Sequence, residues 1–211
     1  EEGRALARGE EPRPRLRGAP DLSHASSVED ALARAIGHLL EAALVQLPVA
    51  LAGEKPEGVH QLRVALRRLR SMLRVFRRAV DTDALRGFDA ELRAILGALG
   101  PARDWDVWLG GIGAALDGAM PGEKRIAQLL AAAWEERTRA YVLLREVLDA
   151  PGFRTTIWDG IALVRQRRWR EGATPEMLDA LAGPLDRFAV PLLARRWKRL
   201  RRDAKGIEGL D

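Results

Sequence analysis

The stretch that decides the fold is VHQLRVALRRLRSMLRVFRR, residues 59–78. It holds seven arginines and one histidine, and no acid occurs between Glu57 and Asp81. Two rows run through it with alternating steps of three and four residues, the spacing that places side chains on one face of an α-helix. The apolar row is Val59, Leu62, Leu66, Leu69, Leu73, Phe76 and Val80, an unbroken seam for burial against neighbouring helices. The basic row is His60, Arg63, Arg67, Arg70, Arg74 and Arg77, displaced from the seam by one residue, about 100° of rotation. It extends over about 25 Å of helix. Arg68 and Arg78 fall off this line and read as ordinary surface charge.

Solvated helix faces normally mix signs, because acid–base pairs four residues apart stabilise a helix and like charges at that spacing destabilise it. Here the like charges have no relief within the helix, which predicts an anionic partner. Arginine narrows the choice: its planar fork of donors matches paired phosphate oxygens, and it stays charged across the physiological range. The row is long, so the anion it predicts is long and multiply charged. Packing against acidic helices and contact with an anionic membrane are the alternatives.

Outward from this helix, the 211 residues suffice for one sizeable domain or two small ones. Ala, Leu, Arg and Glu dominate, β-branched runs are nearly absent, and no credible strand occurs, so the fold class expected is all-α. The net charge of +5 is small, but the bases come in blocks while the acids are scattered. The absence of cysteine excludes disulfides and thiol chemistry. No apolar run reads as a membrane span, and the start EEGRALARGEEPRPRLRGAPDL lacks the apolar core of a signal peptide, so a cytoplasmic location is expected.

Residues 1–26 read as a linker or arm, rich in proline, glycine and charges of both signs. Helical patterning starts at Ser27, a cap with Asp30 three residues on, and Val28, Leu32, Ile36, Leu39, Ala43 and Leu47 share one face. Pro48 and AGEKPEG are expected to close that helix. Further helices are expected at about 57–80, 82–98, from Ala102 onward, 122–149 and 152–170, and another starting at Thr174-Pro175. Pro101 and Pro191 read as helix breaks. Short connections imply antiparallel packing in bundles, a first over about 27–150 and a second beginning at about 151.

LARRWKRLRRDAKG, residues 193–206, is a second basic block whose Arg195, Lys198, Arg199, Arg202 and Lys205 are candidates to share the anion site. Leu193, Trp197, Leu200 and Ala204 can form a seam, with Lys198, Arg201 and Lys205 following it and Arg195, Arg199 and Arg202 to its sides. LGPARDWDV, residues 99–107, places Asp104 and Asp106 in the first turn of the helix expected after Pro101, where acids suit the helix dipole. Their other reading is a Mg²⁺ site for phosphoryl chemistry, which lacks a third ligand or a phosphate-binding glycine loop. No metal site is expected from His24, His38 and His60, which are far apart. Six tryptophans (105, 108, 134, 158, 169 and 197) suit buried bundle positions, and none lies in the basic helix to stack on bases.

Val-His-x-x-Arg-Val-x-x-Arg-Arg-x-Arg over residues 59–70 and Gly-x-x-Arg-Asp-x-Asp-Val over residues 100–107 closely resemble the CHAD family, the conserved-histidine α-helical domains. The resemblance implies two similar four-helix bundles around a basic groove that binds inorganic polyphosphate, and a link to polyphosphate granules; a binding module without catalysis or cofactor is the function expected. It implies binding roles for His60, Arg63, Arg67, Arg68, Arg70 and Arg103. Such domains often follow a CYTH-type domain. The family's second His-x-x-Arg helix is not reached by Asp211, so the second bundle is expected to be incomplete. A Mg-dependent polyphosphate-processing enzyme and charge-driven, non-specific binding of nucleic acid or anionic membrane are the other functions weighed.

Overall fold

The computed structural model describes residues 18–205, without the side chain of Lys205, and every regular element among them is helical. The expectations for residues 1–17 and for the Lys205 side chain lie outside the described residues. Helices α1 (Val28–Ala52), α2 (Pro56–Phe76) and α3 (Asp83–Trp108) are followed by a π-turn (Leu109–Gly113) and the short α4 (Ala114–Ala119). Then come α5 (Lys124–Asp149), α6 (Pro151–Arg165), a 3₁₀ turn (Arg168–Arg170), α7 (Pro175–Ala182) and α8 (Leu185–Lys205).

The caps follow the sequence. Ser27 Oγ accepts from the Asp30 amide at 3.1 Å, and the Asp30 carboxylate accepts from the Ser26 amide at 3.2 Å. Thr174 Oγ1 caps α7 ahead of Pro175. α1 stops at Gly53, whose φ of 70° is the left-handed geometry that favours glycine. Its last carbonyls receive the guanidinium of Arg145 from α5, at 3.0 Å to Leu51 and 3.4 Å to Ala52. The turn to α2 is tight enough that a Cβ on Gly58 would come within 2.7 Å of the Val49 backbone.

α1 packs most extensively on α2, α2 then packs on α3, and α3 on α5. Every member of the α2 apolar row is buried, Val59, Leu62, Leu66, Leu69 and Val80 completely. Each such leucine contributes roughly 2 kcal/mol by leaving water. α1 is buried on more than its predicted face, with Ala31, Ala35, Ala42 and Val49 also inside. Phe153, Ile157 and Leu163 of α6, Trp169 of the 3₁₀ turn and Leu181 of α7 share this one core.

Four expectations need correction. Pro48, Pro101 and Pro191 end no helix; each lies inside one. A proline leaves the carbonyl four residues earlier without a donor. Those carbonyls belong to Leu44, Gly97 and Arg187, all exposed, where water can serve them. Asp104 and Asp106 are therefore near the end of a 26-residue helix, not in a first turn. The tryptophans divide: Trp169 is fully buried, but Trp134, Trp158 and Trp197 are more than half exposed. Finally, α1 is long and apolar enough to cross a membrane, although half of that apolar window is buried in the bundle.

Glu29 ties the start of α1 to the 3₁₀ turn. Its buried carboxylate accepts from Trp169 Nε1 at 2.9 Å and Arg170 Nε at 2.7 Å, and also pairs with Arg167. Burial pushes its pKa up, but the bonds from Arg170 and Trp169 and the charges of Arg167 and Arg170 outweigh that and hold it below the usual carboxylate value. α8 is rooted by Phe188 against Phe76. From Pro191 onward it is exposed except at the half-buried Leu192, leaving Val190, Leu193, Trp197 and Leu200 at the surface.

Candidate functional site

The basic row of α2 splits lengthwise into two rows, each repeating every seven residues. Arg63, Arg70 and Arg77 lie on the edge facing α3. Arg63 Nη1 donates to the Leu96 carbonyl at 2.9 Å. Arg70 Nε donates to Asp89 Oδ1 at 2.7 Å, and Arg77 Nη2 donates to Asp89 Oδ2 at 3.0 Å. Arg77 also pairs with Asp81 at 3.9 Å. These pairings run down α3 as they run up α2, which shows the two helices antiparallel.

His60, Arg67 and Arg74 form the other edge, rotated about 50° away. Among the described residues, His60 and Arg67 have no hydrogen-bond or ion partner, and Arg74 has only Ser71 Oγ, at 3.1 Å. Arg67 and Arg74 are exposed and His60 half-buried. Arg103 projects from α3, half-buried and likewise without a partner among the described residues. Its helix register places it near the His60 end of α2, since Gly100, one turn earlier, lies 3.8 Å from Arg63 Nη1 (measured from an added Cβ).

The two basic blocks meet. A groove of about 940 Å³ lies between α2 and α8, lined by Ser71, Arg74, Val75 and Arg78 on one side and Leu192, Arg195, Arg196, Arg199, Leu200 and Asp203 on the other. Five guanidinium groups thus share one hollow with a single carboxylate, which lies 3.7 Å from Arg199 and 3.4 Å from Arg202. Guanidinium groups gathered in this way repel each other, and an anion between them removes the repulsion. The exposed setting lets salt screen both effects.

Not every predicted residue converges here. Lys198 and Arg202 line a separate hollow of about 290 Å³ with Trp197 and Arg201. Arg68 faces α1, beside Gly18, Leu39 and Gln46. Arg78 and Arg196, which the spacing of the basic row does not single out, do line the groove. The signal for both is a second helical face, Ser71-Arg74-Val75-Arg78 and Leu192-Arg195-Arg196-Arg199, hidden behind the stronger row.

The two aspartates of LGPARDWDV diverge. Asp104 is exposed. The buried Asp106 accepts from Arg137 Nε and from the Tyr141 hydroxyl, each at 2.8 Å. Burial first, and then the bond to Asp106, push the Tyr141 phenol far above its ordinary pKa. The Arg137 guanidinium lies 4.3 Å from the Tyr141 ring centroid and 5.3 Å from that of Trp134. Asp106 is thus a pin between α3 and α5, and the pair does not offer two free carboxylates to one ion. Among the described residues no group of three His, Asp or Glu side chains could hold a metal.

Helices stacked around one core, with bases from two distant segments gathered at a groove, define an all-α helical-bundle domain. A family model described as the CHAD domain matches residues 34–211, and the chain belongs to that family. The crystal structure of the CHAD domain from the plant Ricinus communis is similar in fold, with a TM-score of 0.66 at 21% identity. That likeness covers 95% of this chain and 62% of the plant chain, so the protein spans less than two thirds of its structural relative. No curated protein matches the sequence.

Proposed function

We propose that the protein is a non-catalytic module that binds inorganic polyphosphate along the open edge of α2 and in the groove between α2 and α8. The observation that carries this reading is the convergence of Arg74 and Arg78 with Arg195, Arg196 and Arg199, more than a hundred residues away in sequence, on one hollow. Guanidinium forks bind phosphate oxygens in pairs, and a linear polyanion can satisfy many of them in succession. His60, Arg67 and Arg74 extend the path by about 20 Å along α2. Polyphosphate carries closely spaced charges and no bases, which suits a path without aromatic platforms. A binding module of this kind would carry whatever is attached to it to polyphosphate granules.

Titration with polyphosphate of defined length, beside orthophosphate and DNA at equal phosphate concentration, tests the reading. Long-chain polyphosphate is expected to bind far more tightly than orthophosphate, to displace DNA, and to weaken steeply as salt rises. Replacing Arg74, Arg195 and Arg196 together by Glu is expected to abolish binding with helicity intact. Equal affinity for polyphosphate and orthophosphate, or phosphate release by the purified chain, overturns it.

A further inference from the structure

Among the described residues, Asp89 is the one carboxylate shared by two arginines of the basic row, and it is buried. It sits on α3 at the level where Arg70 and Arg77 pass, and holds both guanidinium groups against α3, Arg70 half-buried and Arg77 still exposed. Arg70 keeps 21% of its side-chain surface exposed and Arg77 37%. Asp89 cancels one of the two positive charges that Arg70 and Arg77 bring, and Asp81, 3.9 Å from Arg77, offsets part of the other. We infer that Asp89 is a built-in counterion that divides the row: Arg70 and Arg77 position α2 against α3, while His60, Arg67 and Arg74 read the ligand. Asp89 thereby restrains anion binding at Arg70 and Arg77.

This division of labour rests on the proposed anion binding, and charge spacing alone cannot supply it. Successive members of a seven-residue row drift by only about 20°, so each row keeps one edge for its whole length. The edge with Arg63, Arg70 and Arg77 is occupied throughout by protein acceptors, a carbonyl and a carboxylate. A phosphate would have to displace Asp89 from a bidentate contact to reach Arg70, and would leave that buried carboxylate without its partners. The edge with His60, Arg67 and Arg74 needs no such exchange, and at Arg74 it opens into the groove. A structural acid only stabilises the fold. A counterion also restrains binding, and that difference can be measured.

The test compares Asp89→Asn, Arg67→Gln and Arg70→Gln with the parent protein, titrated with one polyphosphate length at several salt concentrations. Circular dichroism checks that each variant is folded. Asp89→Asn is expected to tighten binding about three- to tenfold at low salt and to steepen the salt dependence, by about 0.7 in log–log slope for each additional phosphate neutralised. Arg67→Gln is expected to reduce that slope by a similar amount, and Arg70→Gln to leave it unchanged. Weaker or unchanged binding by folded Asp89→Asn overturns the inference. So does a slope loss in Arg70→Gln equal to that in Arg67→Gln, a comparison that stands even if Asp89→Asn fails to fold. Absence of polyphosphate binding by the parent protein would instead overturn the proposed function, and the two failures are distinct.

Discussion

The rings of Phe76 and Phe188 stack with centroids 5.3 Å apart and planes 28° from parallel, joining the last residue of α2 to the start of α8. Past this stack, α8 gains little from burial, and among its later described residues only Ala189 and Leu192 are half-buried. The width of the groove therefore depends on the stack, together with the contacts of α8 on α1. Phe188→Ala is expected to cost about 1–2 kcal/mol, less than a fully buried phenylalanine because Phe188 is only half-buried. It should also lower polyphosphate affinity several-fold with every arginine still present. Urea unfolding and titration measure the two effects separately, and undiminished affinity in the folded variant would show that α8 is positioned by something else.

Asp106 has both carboxylate oxygens taken, one by Arg137 and one by Tyr141. Tyr141→Phe keeps the ring under the Arg137 guanidinium but leaves Oδ2 buried without its donor. Hydrogen bonds to charged groups contribute more than neutral ones, so a loss of about 2 kcal/mol is expected. The readout is a lower urea midpoint at unchanged slope. Anion binding should not change, because this pin lies between α3 and α5 and not at the groove. A midpoint equal to that of the parent would mean that Asp106 finds another donor.

Patterns local in sequence were legible, and pairings between helices were not. The α2 seam is visible because a 3.6-residue period imposes one buried face, and each of its residues is inside. The Ser27 and Thr174 caps are equally local. Pro101 misled because a proline's cost depends on what surrounds its orphaned carbonyl, and Gly97 is exposed to solvent. In the site, the basic row could be read but its two edges could not. Distinguishing Arg70 from Arg67 needs the register of α2 against α3, which brings Asp89 to the first and no described partner to the second. Asp106 likewise reads as a helix-start acid until Tyr141, from another helix, is placed beside it.

Glu29 gives the fold an acid-sensitive joint. Its pKa is lowered on folding from an ordinary value of 4.5, because the bonds and charges of Arg170, Trp169 and Arg167 favour the carboxylate over the effect of burial. A depressed carboxylate contributes stability that is fully present above its unfolded pKa and is lost as pH falls through its folded pKa. Glu29→Gln removes that contribution while keeping the shape. The arginine side chains are about half exposed, so solvent screening limits the loss near neutral pH to about 1–2 kcal/mol. The difference between parent and variant should be constant above about pH 5 and should shrink as pH falls below the ordinary carboxylate value. Other carboxylates titrate in the same window, but they titrate in both proteins and cancel in the difference. Urea unfolding of the two proteins at a series of pH values measures it. A difference that stays constant down to about pH 3 would mean that the Glu29 charge does not hold the 3₁₀ turn to α1.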